Sequence, residues 1–181
     1  MGNLISDFVK GKKKFDYPEG IQLGIMLHRE LDEFSDNHEA TRRAKEVFRP
    51  YYRLYSAAFV DVTYDYFIAN DADLFNEASL FEFTQQTYQQ LEKQQEWFPE
   101  KFARMFPYMK AQNWLYNYRL IGGIEKSFGG LMRRASYITE SETASRLFEN
   151  NLPLLQECYD HFGKDVKEFA KTRFGILTNQ R

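Results

Sequence analysis

Ile21-Gln22-Leu23-Gly24-Ile25-Met26-Leu27-His28-Arg29-Glu30-Leu31-Asp32-Glu33-Phe34-Ser35-Asp36 brings apolar residues back every third or fourth position, the period of an α-helix rather than of a strand. With Ile21 set at 0° and roughly 100° per residue, Leu23, Phe34, Leu27 and Leu31 fall between about 200° and 280°, and Ile25 near about 40°. Two polar residues, His28 and Asp32, lie inside that apolar arc. An ionised carboxylate removed from water is costly unless it is paired or bound to a metal, so an inward Asp32 requires a partner. His28, one turn earlier, is within reach, and Asp36, one turn later, edges the same stripe.

The next long apolar helix repeats the anomaly. With Ala57 at 0°, Phe67, Val60, Tyr64, Ile68 and Leu54 fill roughly 280° to 60°, Asp61 lands near about 40°, and Asp65 sits at the edge of the arc. Two helices each offering an inward Asp and a second carboxylate one turn on is an arrangement from which helical bundles build metal sites, and a hard divalent cation suits it. The same residues also fit a satisfied core hydrogen bond between His28 and Asp32, and Asp61 and Asp65 could cap a helix or pair with a base. Periodicity leaves both readings open.

Outward from these two segments helical periodicity dominates, and the expected fold is an all-α, single-domain helical bundle of 181 residues. A short helix over residues 3–9 is expected to stop at Gly11, followed by an exposed loop carrying Lys12, Lys13 and Lys14. A helix over 19–35 follows, then Asp36-Asn37 capping a third that starts near His38, and a fresh start at Pro50 opening a helix over 50–69. An acidic loop over 70–78 leads to a helix over 79–97, with breaks at Pro99 and Pro107. Helices over 109–121 and 122–136, divided at Gly122-Gly123, precede a closing hairpin or long helix over 141–173, bent near Pro153.

Composition excludes several classes. A chain that is 17% aromatic is too rich in Phe and Tyr to be disordered. A net charge of −2 implies neither nucleic acid nor membrane as partner. No stretch suits a membrane span and Met1-Gly2-Asn3-Leu4 does not open a signal peptide, so the expected location is cytoplasmic. Cys158 is the only cysteine, which excludes an internal disulfide and a cysteine zinc cluster and leaves it a packing role. Nothing matches a P-loop or dinucleotide motif, and Gly122-Gly123 and Gly129-Gly130 read as turns or close helix approaches. Residues 70–100 carry seven acids against Lys93, and residues 101–134 seven bases against Glu125, so one face is expected to attract an acidic partner.

Further motifs are shared with a known family. Residues 2–11, Gly-Asn-Leu-Ile-Ser-Asp-Phe-Val-Lys-Gly, are followed by Gly24-Ile25, Leu27-His28-Arg29, Leu31-Asp32 and Asp36-Asn37-His38. Phe48-Arg49, Tyr64-Asp65 with Phe67, Gln112-Asn113-Trp114-Leu115, Gly123-Ile124-Glu125 and Gly130-Leu131-Met132-Arg133-Arg134 come after them in order. Together they resemble the acyl carrier protein phosphodiesterases over nearly the whole chain. That resemblance implies a helical fold of the histidine–aspartate metal-dependent phosphohydrolase type and a divalent metal, manganese by preference. It implies hydrolysis of the phosphodiester joining 4'-phosphopantetheine to a serine of holo-acyl carrier protein. By the same analogy His28, Asp32, Asp36 and Asp61 are metal-ligand candidates, Asp7 and Asp65 catalytic candidates, and Arg29, Arg133 and Arg134 candidates to grip phosphate or the acidic carrier. Arg42, Arg43 and Lys45 are expected to help steer that carrier.

The chain departs from the family pattern twice. Relatives begin earlier, with a helix carrying a His, so this chain is expected to lack that helix. It also has Tyr66 where the family places a His after the Asp of the Tyr-Asp block. These departures keep two alternatives in view: a catalytically impaired homologue that binds the carrier, and a metal-dependent phosphodiesterase acting on another substrate such as a nucleotide.

Overall fold

The computed structural model describes residues 1–179. Among them are ten α-helices and short 3-10 turns, with no strand. Helix α1 (Gly2–Ile5) runs into a 3-10 turn over Ser6–Phe8, and α2 (Glu19–Asn37) and α3 (Glu39–Tyr52) follow. Then come α4 (Ser56–Asn70), α5 (Glu77–Glu92), α6 (Glu100–Ala111), α7 (Trp114–Asn117), α8 (Ile121–Arg134), α9 (Glu142–Asn150) and α10 (Leu152–Asn179). The all-α single-domain expectation holds.

Several boundaries differ from those expected, each for a local reason. The lysine segment is not a loop but a 3-10 helix over Gly11–Asp16, entered at Gly11 with φ 55°. The cap of α3 is His38 rather than Asp36-Asn37: its Nδ1 accepts the Ala40 N–H. Pro50 does not open a helix. It lies in the final turn of α3, and the break comes at Arg53, whose φ of 48° no helix accepts. Pro107 likewise sits inside α6. The helices expected over 109–121 and 122–136 divide at Tyr118–Leu120, not at the glycine pair, which belongs to the first turn of α8. A Cβ on Gly123 would stand 1.9 Å from the Asn117 carbonyl oxygen, so glycine is what lets α7 abut α8. Pro153 occupies the first turn of α10, where its missing N–H has no helical partner to lose, and the helix continues through it.

Two apolar clusters hold the molecule. The first is built on α1, α2, α5 and α6: Ile5, Ile21, Ile25, Tyr88, Leu91, Phe102, Phe106 and Met109 are all buried there. The second gathers α3, α4, α8, α9 and α10 around Phe48, Phe59, Phe67, Phe128, Phe148, Leu155 and Phe162. Its rings meet edge-on or offset, as in Phe59–Phe128 at 5.1 Å between centroids and Phe128–Phe148 at 6.1 Å. Cys158 is buried within it, as a packing residue should be. Helix α2 spans both clusters, giving Ile21 and Ile25 to the first and packing Phe34 against the second. His28 lies between Ile25 and Phe34 on that helix, so it falls where the two cores meet.

No helix among the described residues is long and apolar enough to cross a membrane.

Candidate functional site

At the seam between the cores the His28 ring has a neighbour on every polar edge. Its Nδ1 lies 3.2 Å from Oδ1 of Asn3, and its Nε2 lies 3.3 Å from Oδ1 of Asp7 and 3.1 Å from Oδ2 of Asp32. An amide oxygen only accepts, so the Nδ1 proton is fixed toward Asn3 and Nε2 is left to meet two carboxylates. Two negative groups around one ring nitrogen require a positive charge between them, supplied either by the imidazolium proton or by a cation. Without a cation, hydrogen bonds to Asp32 and then Asp7 raise the His28 pKa to about 9, against the opposing effect of burial. Asp7 is correspondingly held below the usual carboxylate range, first by its bond to His28.

The expectation that Asp32 faces the core is corrected. His28 is half-buried, with 23% of its side chain exposed, but Asp32 is 58% exposed and lies on the rim. The apolar arc of α2 is wide enough that its edge reaches solvent rather than the core.

Helix α4 brings two further carboxylates near this cluster. Asp61 keeps a face open to solvent, yet the surrounding walls, and then the charges of Asp32 and Asp36, push its carboxyl up to about 7. Asp65, one turn deeper and half-buried, is also raised to about 7, first by burial and then by Asp61. The structure therefore brings Asp7, Asp32, Asp61 and Asp65 into one electrostatic neighbourhood, although only Asp7, His28 and Asp32 place ligand atoms within 4.8 Å of one another.

Other candidates go elsewhere. Asp36 is 2.6 Å from Lys45 Nζ, an ion pair at the edge of the cluster. Arg29 donates to the carbonyl oxygen of Val9 and so ties down the segment after Asp7. Tyr66 packs its ring edge-on against Phe67 and Phe148, at 5.3 and 5.2 Å, within the second core.

A second set of possible ligands, His38, His161 and Asp165, also lies within 4.8 Å. Here His38 Nδ1 already accepts the Ala40 N–H, which places the neutral ring's proton on Nε2, 3.0 Å from Asp165 Oδ2. The cap and the hydrogen bond to Asp165 occupy both ring nitrogens.

Beside the carboxylates a groove of about 1070 Å³ runs between α7 and α8, with Val62 of α4 and Met105 of α6 in its walls. Tyr118 and Arg134 line it and also neighbour the carboxylates: the Asp65 charge acts on the Tyr118 phenol, and the Arg134 charge on both that phenol and Asp7.

A family model described as acyl carrier protein phosphodiesterase matches residues 1–166. The chain belongs to the acyl carrier protein phosphodiesterase family. Relatives of that name include a protein of Enterobacter sp. (strain 638), 33% identical over 134 residues that cover 74% of this chain and 69% of the relative. One from Yersinia pestis is 31% identical over 74% of this chain and 70% of its own length. One from Salmonella paratyphi A is 27% identical over 89% of this chain and 84% of its own. No solved structure matches, so the expected likeness to histidine–aspartate phosphohydrolases gains no support from comparison.

In this phosphodiesterase family member two site features had no sequence signal. Asn3 lies in the Gly-Asn block near the N-terminus, but nothing in the sequence says that α1 folds back on α2. Tyr118 is one of 12 tyrosines, and only the break between α7 and α8 aims it at the carboxylates. The expected basic face is reduced in part. Arg119 pairs with Glu77, Lys110 with Glu92 and Arg104 with Glu100, so the acidic stretch engages three of the seven bases. Arg43 and Lys45 are engaged by Glu157 and Asp36, and Arg42 by the Asn37 carbonyl. Among the described residues Lys101, Lys126, Arg133 and Arg134 have no ion-pair partner.

Proposed function

We propose that this chain hydrolyses the phosphodiester between 4'-phosphopantetheine and the serine of holo-acyl carrier protein, releasing apo-carrier and 4'-phosphopantetheine. The observation that carries the reading is the convergence of Asp7 and Asp32 on His28 Nε2, in a chain of this family. Those three residues fit a divalent cation: two carboxylate oxygens and an imidazole nitrogen suit manganese, and Asn3 holds the ring as partners of metal-binding histidines do. Bound there, the cation would lower the pKa of a water and neutralise phosphoryl oxygens.

The protein's own groups supply the rest. Asp7 and Asp32 balance the charge around the His28 ring. Asp61, close enough to feel the charges of Asp32 and Asp7, and Asp65 beside it can take or relay a proton from the attacking water. Arg133 and Arg134 end α8 with exposed guanidinium groups whose planar donors match the oxygens of a phosphate. With Lys101 and Lys126 they give an acidic carrier something to approach. A carrier-linked substrate of this kind goes with work in the cytoplasm.

The test is conversion of holo-carrier to apo-carrier by the full chain with manganese, followed by mass spectrometry. Loss of the prosthetic group is expected with the native chain, and His28→Ala or Asp32→Ala should abolish it. A native chain that leaves holo-carrier intact at saturating manganese overturns the proposal.

A further inference from the structure

The groove along α8 is larger than a cation or a phosphate needs, and its position beside the carboxylates asks what occupies it. At about 1070 Å³ it is in the size range of organic-ligand pockets. Its lining is chemically mixed. At the carboxylate end stand Arg134 and the Tyr118 hydroxyl, both donors and both in electrostatic contact with the carboxylates. Trp114 offers an apolar face beside the Gln112 amide side chain. The Trp114 indole N–H is spent on Gln112 Oε1 at 3.0 Å, and Asn117 Nδ2 on the Gln112 carbonyl at 2.8 Å. These bonds fix both amides and leave Gln112 Nε2 as donor and Asn117 Oδ1 as acceptor for a ligand. On the α8 side Gly129 and Gly130 leave the helix surface bare. A Cβ on either would meet nothing closer than the Arg133 guanidinium, at 3.5 and 3.7 Å.

We infer that this groove seats the pantetheine arm of the substrate, with its phosphate at the Arg134–Tyr118 end and its amides against Gln112 and Asn117. The inference rests on the phosphodiesterase reading and adds the location and contacts of the arm. An anionic head, secondary amides and apolar carbons are the groups that such a lining can meet. The scissile phosphate would then lie between guanidinium and carboxylates, where hydrolysis is proposed, and the carrier itself would stay outside the groove.

Gly130→Leu tests this without threatening the fold. Leucine is a better helix former than glycine by up to about 1 kcal/mol, and the added side chain enters open groove rather than core. Binding of free 4'-phosphopantetheine, pantetheine, inorganic phosphate and apo-carrier is measured on the full chain by calorimetry. Manganese affinity and hydrolysis of holo-carrier are measured in parallel. The native chain should bind 4'-phosphopantetheine at least about tenfold more tightly than either fragment, and Gly130→Leu should lose at least about tenfold for it with manganese affinity unchanged. Tyr118→Phe should weaken 4'-phosphopantetheine but not pantetheine.

The groove is not the seat of the arm if millimolar 4'-phosphopantetheine fails to bind the native chain or binds Gly130→Leu equally well. The assignment fails equally if Gly130→Leu weakens apo-carrier instead, since the groove would then hold a carrier helix. Failure of the native chain to hydrolyse holo-carrier is a separate result and overturns the phosphodiesterase reading itself.

Discussion

Gly2 and Gly24 meet backbone to backbone: a Cβ on Gly2 would stand 2.1 Å from the Ile21 carbonyl oxygen, and one on Gly24 3.0 Å from the Gly2 Cα. No side chain separates α1 from α2, and the close approach carries Asn3 and Asp7 to the His28 ring. Gly24→Ala is therefore expected to push α1 outward despite alanine's better helix propensity. Manganese affinity should fall by about tenfold or more while helical content by circular dichroism stays the same. Unchanged affinity would show that the glycine contact does not position the site.

Asn3 holds the His28 Nδ1 proton and thereby decides which nitrogen faces the carboxylates. Asn3→Ala should lower manganese affinity or turnover by about 10- to 100-fold, with little change in thermal midpoint because Asn3 is exposed. A native-like titration with manganese would show that the ring is held by packing alone.

Metal-free protein should respond to pH through His28. Its folded pKa is raised from 6.5 to about 9, so its stabilisation is complete below pH 6.5 and is lost as pH rises through about 9. The ceiling is about 3 kcal/mol at 1.36 kcal/mol per pKa unit, and exposure of Asp7 and Asp32 reduces it. Chemical denaturation from pH 6 to 9.5 in chelator, native against His28→Gln, reads the effect directly. Parallel curves for the two chains would refute it.

Asp65 works in the opposite sense to an ion-paired carboxylate. Burial and Asp61 raise its folded pKa from 3.8 to about 7, so the folded state favours the protonated form and stability falls as pH climbs through about 7. Asp65→Asn should therefore be more stable than the native metal-free chain at pH 8, by about 1–3 kcal/mol, and should lose most of its hydrolytic activity. The stability difference should vanish near pH 4. A destabilised Asn variant at pH 8 would mean that Asp65 has a cationic partner in solution.

Tyr52 joins the two ends of the second core. Its hydroxyl donates to Glu140 Oε1 at 3.1 Å and accepts the buried Ala144 N–H at 2.9 Å. Tyr52→Phe leaves that amide without its acceptor and should cost about 1–3 kcal/mol in urea unfolding, with the slope of the transition unchanged. A cost near zero would mean that another acceptor or water replaces the hydroxyl.

The sequence by itself determined the helical class, because apolar spacing and helix geometry share one period, and it singled out His28, Asp32, Asp61 and Asp65 as polar residues interrupting apolar arcs. It misjudged Pro50, Pro107 and the Gly122-Gly123 pair, since a helix already packed on neighbours tolerates a proline in its C-terminal half or glycine in its first turn. Tertiary structure alone decided that Asp32 lies on a rim, that Asp36 belongs to Lys45 and that Arg29 holds a backbone carbonyl. It also decided that Asn3 and Asp7 meet the His28 ring and that Tyr118 lies near Asp65. Those facts depend on contacts between segments far apart in the chain, and helical spacing carries information only about neighbours a turn or two away.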